Sequence, residues 1–183
     1  MPAGESRRSI ASPEEVLAFW FAPGQEERWY ARDAQFDAEI RNRFLATYEA
    51  AVAGRLDSWR ADPRSMLALI VVLDQFPRNM FRGSPRAFAA DELAARFCKE
   101  AIEKGFDRGV GQAELDFFHM PLMHSESLGD HDLFLRVHGD SESAREHREI
   151  IARFGRYPHR NETLGRKNTA EEELYLRESP TSF

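Results

Sequence analysis

The chain is predicted to fold as a single all-α domain, a compact bundle of antiparallel helix pairs. Three observations carry that expectation. Helix-capping residues recur ahead of apolar segments, apolar side chains return every three or four positions, and alternating β-branched runs with hairpin turns are missing.

Ser12-Pro13-Glu14-Glu15 has capping-box order, and the helix behind it carries Val16, Leu17, Phe19, Trp20 and Phe21 as far as Pro23-Gly24. Asp33 caps a second helix. Its Phe36, Ile40, Phe44 and Tyr48 recur at four-residue spacing, Asp37, Glu39, Arg41 and Arg43 are expected to face away, and Gly54 is the stop. Asp62-Pro63 opens an element over residues 65–73 that is apolar on every side. Its periodicity fits a buried helix or a buried strand, and the Asp-Pro start favours the helix. Ser84-Pro85 starts the next helix, with an apolar stripe through Ala90, Leu93, Ala94, Phe97, Cys98 and Ala101 and a stop at Gly105. A helix from about Gln112 contains Pro121, which should kink it. Another covers roughly Asp130 to Val137. Ser141 caps a helix on which Ala144, His147, Ile151 and Phe154 share a face, and Thr169-Ala170-Glu171-Glu172 is a second capping box.

At 183 residues one domain is expected, with its core over about 12–177 and flexible ends. A 42% apolar and 31% charged composition describes a soluble globule rather than a disordered chain. A formal charge of −6 argues against nucleic acid as a partner. No stretch approaches the roughly 20 apolar residues of a membrane span, and Met1 to Ser9 lacks a signal-peptide apolar core. One cysteine, Cys98, excludes an internal disulfide and a cysteine-based zinc cluster, so the expected setting is cytoplasmic.

Two stretches concentrate polar chemistry behind apolar helices. The first is Asp74-Gln75-Phe76-Pro77-Arg78-Asn79-Met80-Phe81-Arg82; the second is Arg153-Phe154-Gly155-Arg156-Tyr157-Pro158-His159-Arg160-Asn161. Polar groups at the mouth of a core need partners, either each other or a ligand. Asp74 has Arg78 one turn on and Arg82 a further turn on, if the backbone stays helical past Pro77, which itself disfavours helix at Phe76. The pairing reads first as an internal ion pair that ties a helix end to its successor, and second as a carboxylate and arginine facing a pocket. Between residues 153 and 167 five Lys/Arg meet one acid, Glu162. That is +4 in a chain of −6, leaving −10 elsewhere. Arginines in such an island suit carboxylates or phosphates, or they pair with the acidic remainder.

A third stretch, His119-Met120-Pro121-Leu122-Met123-His124-Ser125-Glu126, has histidines five apart, the wrong spacing for a helical zinc pair. It is expected to form a hydrogen-bonded turn. His159 with Glu126 or Asp74 could serve as an acid–base pair. Cys98 and His147 are expected in the core, His131 and His138 on the surface, and Trp20, Trp29 and Trp59 in the core or a pocket wall. Phosphate-loop, dinucleotide-binding and nucleophile-elbow motifs are not found.

These residues in order resemble a known family. They are Val16-Leu17-Ala18-Phe19-Trp20-Phe21, Trp29 with Phe36-Asp37, Leu73 to Asn79 with Phe81-Arg82-Gly83, Met120 to Glu126, and Arg153 to Asn161 with Leu164-Gly165-Arg166. Over roughly Val16 to Leu176 the series resembles the bacterial domain-of-unknown-function family nine-two-four. The resemblance implies a tetratricopeptide-like all-helical fold and no particular activity. Its motif positions would be Asp74, Arg78, Asn79, Arg82, His124, Ser125, Glu126, Arg156, His159, Arg160, Asn161 and Arg166. Where the family pattern would place a glutamine after Glu126, this chain has Ser127-Leu128-Gly129-Asp130-His131.

The expected function is a polar pocket for an anionic small molecule, with no cofactor and no metal. Arg78, Asn79, Arg82, Arg156, Arg160, Asn161 and Arg166 would hold the ligand. Asp74, His124, Glu126 and His159 would orient it or move protons. The first alternative is a helical interaction scaffold for a protein partner or a second copy of the chain, its motifs being internal salt bridges with no cavity beside them. The second is a metal-dependent hydrolase.

Overall fold

The computed structural model describes residues 9–178; the expected flexible ends fall outside the described residues. Among these residues the regular structure is helical, with no strand. The helices are α1 (Pro13–Trp20), α2 (Ala34–Val52), α3 (Pro63–Met80), α4 (Asp91–Lys104), α5 (Gln112–His124), α6 (Leu128–Val137), α7 (Glu142–Phe154) and α8 (Ala170–Glu178), with short 3-10 turns at Asp57–Ala61, Pro85–Ala87 and Pro158–Arg160.

The caps act where the sequence places them. Ser12 and Glu15 form a reciprocal box at the start of α1. Asp33 accepts from the backbone N–H groups of Gln35 and Phe36, Asp62 does the same for Arg64 and Ser65, and Thr169 with Glu172 closes the box on α8. Gly105 and Gly155 end α4 and α7 in the left-handed conformation, which costs glycine little. Two boundaries differ from expectation. Ser84-Pro85 begins only a 3-10 turn, and α4 starts at Asp91. The helix expected from Asp130 begins at Leu128.

Helix α3 resolves the ambiguity of the apolar run. It is helical throughout and buried from Met66 to Pro77, and it packs against α1, α2, α4 and α5. Packing continues between helices one and two apart in sequence, from α1 and α3 through α5 and α7. Such nearest and next-nearest contacts are how stacked helix pairs cover one another.

Pro77 does not end α3, which runs one turn further to Met80. An interior proline costs roughly 3 kcal/mol. Tertiary packing offsets it, because Phe76 is fully buried against Phe19, Trp20 and Phe44. The guanidinium of Arg78 also donates to the Asp74 carbonyl, close to where the proline has removed a donor. The extra turn matters, because it carries Arg78 and Asn79 on a rigid element.

Asp37 does not face away from the protein. Its carboxylate accepts from Asn79 Nδ2 at 2.8 Å and from Arg82 Nε and Nη2 at 2.8 and 2.9 Å, tying α2 to the end of α3. His131 is also not a surface residue. It is buried, with Nε2–H donating to the Ser125 carbonyl at 2.9 Å.

Phe44 is 1% exposed, whereas Val52 on the same helix is 50% exposed. Phe44→Ala is expected to cost about 3–5 kcal/mol in urea unfolding, and Val52→Ala less than about 0.5 kcal/mol.

Candidate functional site

The two polar motifs meet. Arg78 leaves the last turn of α3 and grips Asp91, the first residue of α4, through two bonds of 2.8 and 2.9 Å. Arg160, from the turn after α7, reaches the same carboxylate at 3.0 Å. One aspartate thus joins residues far apart in the chain. Nothing in the sequence distinguishes Asp91 from an ordinary helix-opening acid, and that is why it escapes a reading by motif.

Asp74 lies one turn before Arg78 and is 1% exposed. It holds Nδ1 of His124, the last residue of α5, at 2.7 Å, lies 3.5 Å from Arg78 Nη1, and accepts from Gln75 Nε2. Burial works against the carboxylate, but the charges of His124 and Arg78 and the bonds it accepts outweigh burial and hold its pKa at about 2. Burial, with Arg78 beside it, pushes His124 below the ordinary imidazole value despite Asp74. His124 is therefore neutral near pH 7, and Arg78 with the hydrogen bonds is what keeps Asp74 ionised.

Two clefts open beside this cluster and share Phe88, His124 and Arg160 on their walls. One, of about 350 Å³, is basic. Arg32, Arg78, Arg82 and Arg160 line it with His124, His147 and His159, and among the described residues no acidic side chain does. The other, of about 540 Å³, is mixed, with Asp91, Glu126, Lys99 and Asp130 on its wall. Lys99 pairs with Asp130 at 3.0 Å, and Ser125 donates to Asp130 at 2.7 Å.

Arg160 is the least satisfied of the buried cations. It is 6% exposed, and among the described residues its Nε has no hydrogen-bond partner and its one side-chain hydrogen bond goes to Asp91. Its guanidinium lies 4.6 Å from the ring centroids of both Phe88 and Tyr157, which fix its plane without using its donors. Burial and neighbouring Arg160 and His147 push His159 down to about 4.

Other expected site residues are committed elsewhere. Asn79 and Arg82 bind Asp37, although Arg82 also reaches the basic cleft. Arg156 pairs with Glu172 of α8 at 2.6 and 2.8 Å. Buried Asn161 donates to Asn168 at 2.8 Å. Arg166 forks onto Glu126 at 2.7 and 2.9 Å, and Glu126 also accepts from the Tyr157 N–H at 2.8 Å. Much of the basic island is therefore neutralised locally and fixes the shape of the turn that presents Arg160. The His124-Ser125-Glu126 stretch does not close on itself; its three side chains reach Asp74, Asp130 and Arg166. Arg32 and His147 were not expected on a site wall, and neither lies in a motif. Cys98 is a core thiol, as expected, with burial raising its pKa.

Away from the clefts, His119 and His138 bring their Nδ1 atoms to 3.2 Å, with Asp107 and Asp116 on their outer nitrogens at 3.0 and 3.4 Å. Among the described residues no three His, Cys, Asp or Glu side chains are grouped so as to hold a metal ion, and no helix is long and apolar enough to cross a membrane.

Asp91→Ala strands the buried guanidinium of Arg160 and releases the half-buried one of Arg78, and is expected to cost about 3 kcal/mol in urea unfolding. Glu39→Gln, in the exposed pair with Arg43, is expected to change stability by less than about 1 kcal/mol. Stability should also depend on pH in one direction. Burial lowers the folded-state pKa of His119, His124, His131, His147 and His159, so below about pH 6.5 the unfolded chain binds more protons. The melting temperature is expected to be flat from pH 8 to 7 and to fall steadily below about 6.5. Asp74, with its own low pKa, extends that loss below about pH 4. Calorimetric scans across pH check this; a rise in melting temperature on acidification contradicts it.

A model of the family described as bacterial protein of unknown function (DUF924) matches residues 16–180. A solved structure of a protein of unknown function from Agrobacterium tumefaciens is 39% identical in sequence and superposes with a TM-score of 0.83, covering 91% of this chain and 97% of that one. No curated protein matches. The relative shares the all-helical fold, and the matched span includes both polar motifs and the His124 turn. This chain therefore belongs to the bacterial family of unknown function DUF924.

Proposed function

We propose that this protein binds an anionic small molecule, a carboxylate or a phosphate, in the basic cleft. The carrying observation is Arg160, a buried guanidinium with five N–H donors and, among the described residues, a single hydrogen bond. Native interiors seldom leave donors of a charged group unmet, and an anion is the natural acceptor. Arg78, Arg82 and Arg32 add positive charge on the same wall. Asp91 and Asp37 sit behind these guanidiniums and aim them, as a binding site needs.

In this reading Arg160, Arg78 and Arg82 bind the ligand, Arg32 guides it at the rim, and Asp74, His124 and His159 orient it. Asn79, Glu126, Arg156, Asn161 and Arg166 hold the walls. The scaffold alternative accounts for the salt bridges but not for the clefts beside them. The metal-hydrolase alternative has no ligand cluster to support it among the described residues.

A thermal-shift panel of mono- and dicarboxylates, phosphate and phosphate monoesters tests the proposal. A ligand at 100-fold its Kd stabilises by about 2.7 kcal/mol, which raises the melting temperature of a domain this size by roughly 5–10 °C. Arg32 is exposed and, among the described residues, in no salt bridge, so Arg32→Ala should fold normally and weaken binding several-fold. Arg160→Ala should abolish the shift. A flat panel, or both variants binding as tightly as the wild type, rejects the proposal.

A further inference from the structure

The bond between Asp74 and His124 fixes which way the imidazole presents its proton. Asp74 is an ionised acceptor, so Nδ1 of His124 carries the hydrogen and Nε2 carries a lone pair. His124 lines both clefts, and among the described residues its hydrogen bond is made by Nδ1. Nε2 is therefore an acceptor on a residue that shares the basic cleft with the guanidiniums of Arg32, Arg78, Arg82 and Arg160.

Among the described residues, most of the side chains that share the cleft walls with His124 are engaged elsewhere. From α3, Arg78 is held by Asp91 and Asp74. From α4, Asp91 is occupied by Arg78 and Arg160, and Lys99 by Asp130. From α7, His147 donates its Nδ1–H to the Ser143 carbonyl. From the loop after α7, the Tyr157 hydroxyl donates to the Met123 carbonyl, Glu126 is clasped by Arg166, and His159 and Arg160 share the basic wall. Arg32 and Arg82 complete that wall.

An anion with acceptor oxygens only, such as a simple carboxylate or a sulfate, satisfies the guanidiniums but turns a lone pair toward Nε2. Two acceptors face each other there with no hydrogen between them, a defect that buried sites reject strongly. An anion that also carries an O–H satisfies both sides. Building on the anion-binding reading, we infer that the cleft selects an anion bearing an O–H donor beside its charge, a hydrogen phosphate group or a 2-hydroxy acid, with the hydroxyl donating to His124 Nε2 and the charged oxygens accepting from Arg160 and Arg78.

Calorimetric titration of the wild-type protein at pH 7.5 with two matched pairs tests this. Phosphate and sulfate share shape and charge but differ in the P–OH; glycolate and acetate differ in the C–OH. About tenfold or greater preference for the hydroxyl-bearing member of either pair is the expected result, and the pair that discriminates names the source. His124→Phe, which keeps a ring of similar size but has no lone pair to offer, should bring the two members of each pair to within about twofold of one another. Less than tenfold discrimination in both pairs overturns the inference and leaves the anion reading standing. No heat of binding for any of the four probes removes both.

Discussion

Asp91 has two oxygens and three connections to make. It takes a fork from Arg78 and a single donor from Arg160, and so welds the end of α3, the start of α4 and the turn beyond α7 at one carboxylate. The desolvation cost of three charges at one buried junction is recovered only if each is well bonded. Arg78 meets that condition through Asp91 and Asp74; Arg160 does not. The imbalance is local, and the anion-binding reading rests on it. Elsewhere Arg156 with Glu172 and Arg166 with Glu126 form closed forks that leave little for a ligand to satisfy.

The electrostatics reinforce the geometry. Burial removes charge from the imidazoles around the cleft, so near pH 7 the wall's charge comes from guanidiniums, which do not titrate there. Asp74 keeps its charge because the same arginine that depresses His124 stabilises the carboxylate. One cation therefore sets the protonation of two neighbours in opposite senses. Arg78→Lys would retain the charge but lose the fork that holds Asp91.

The fold was legible in the sequence because its signals are local. Capping residues at Ser12, Asp33, Asp62, Ser141 and Thr169, and stripes such as Ala94, Phe97, Cys98 and Ala101, need no tertiary knowledge. Tertiary packing overrode local expectation at Asp37 and His131, and it decided the point left open at Pro77, which stays inside α3. The site was legible in part. Asp74 and Arg78 are one helical turn apart, so their pairing could be read from spacing, and the charge reversal around Arg160 marked its turn. The partners that complete the cluster lie 50 residues on at His124 and 69 residues back at Asp91 from Arg160. No periodicity spans such distances. The basic island misled in one respect, since Arg156 and Arg166 balance Glu172 and Glu126 rather than joining Arg160.

Helix α3 buries the centre of the core along most of its length and ends in Arg78 on the wall of the basic cleft. Core and cleft are thus two ends of one rigid rod, with no hinge between them. Opening the cleft by moving that wall means disturbing the element with the most to lose, so local fluctuation and global unfolding merge there. Occupancy of the cleft should be felt as slowed amide hydrogen exchange along the whole of α3, up to the turns around Met66 that touch no ligand.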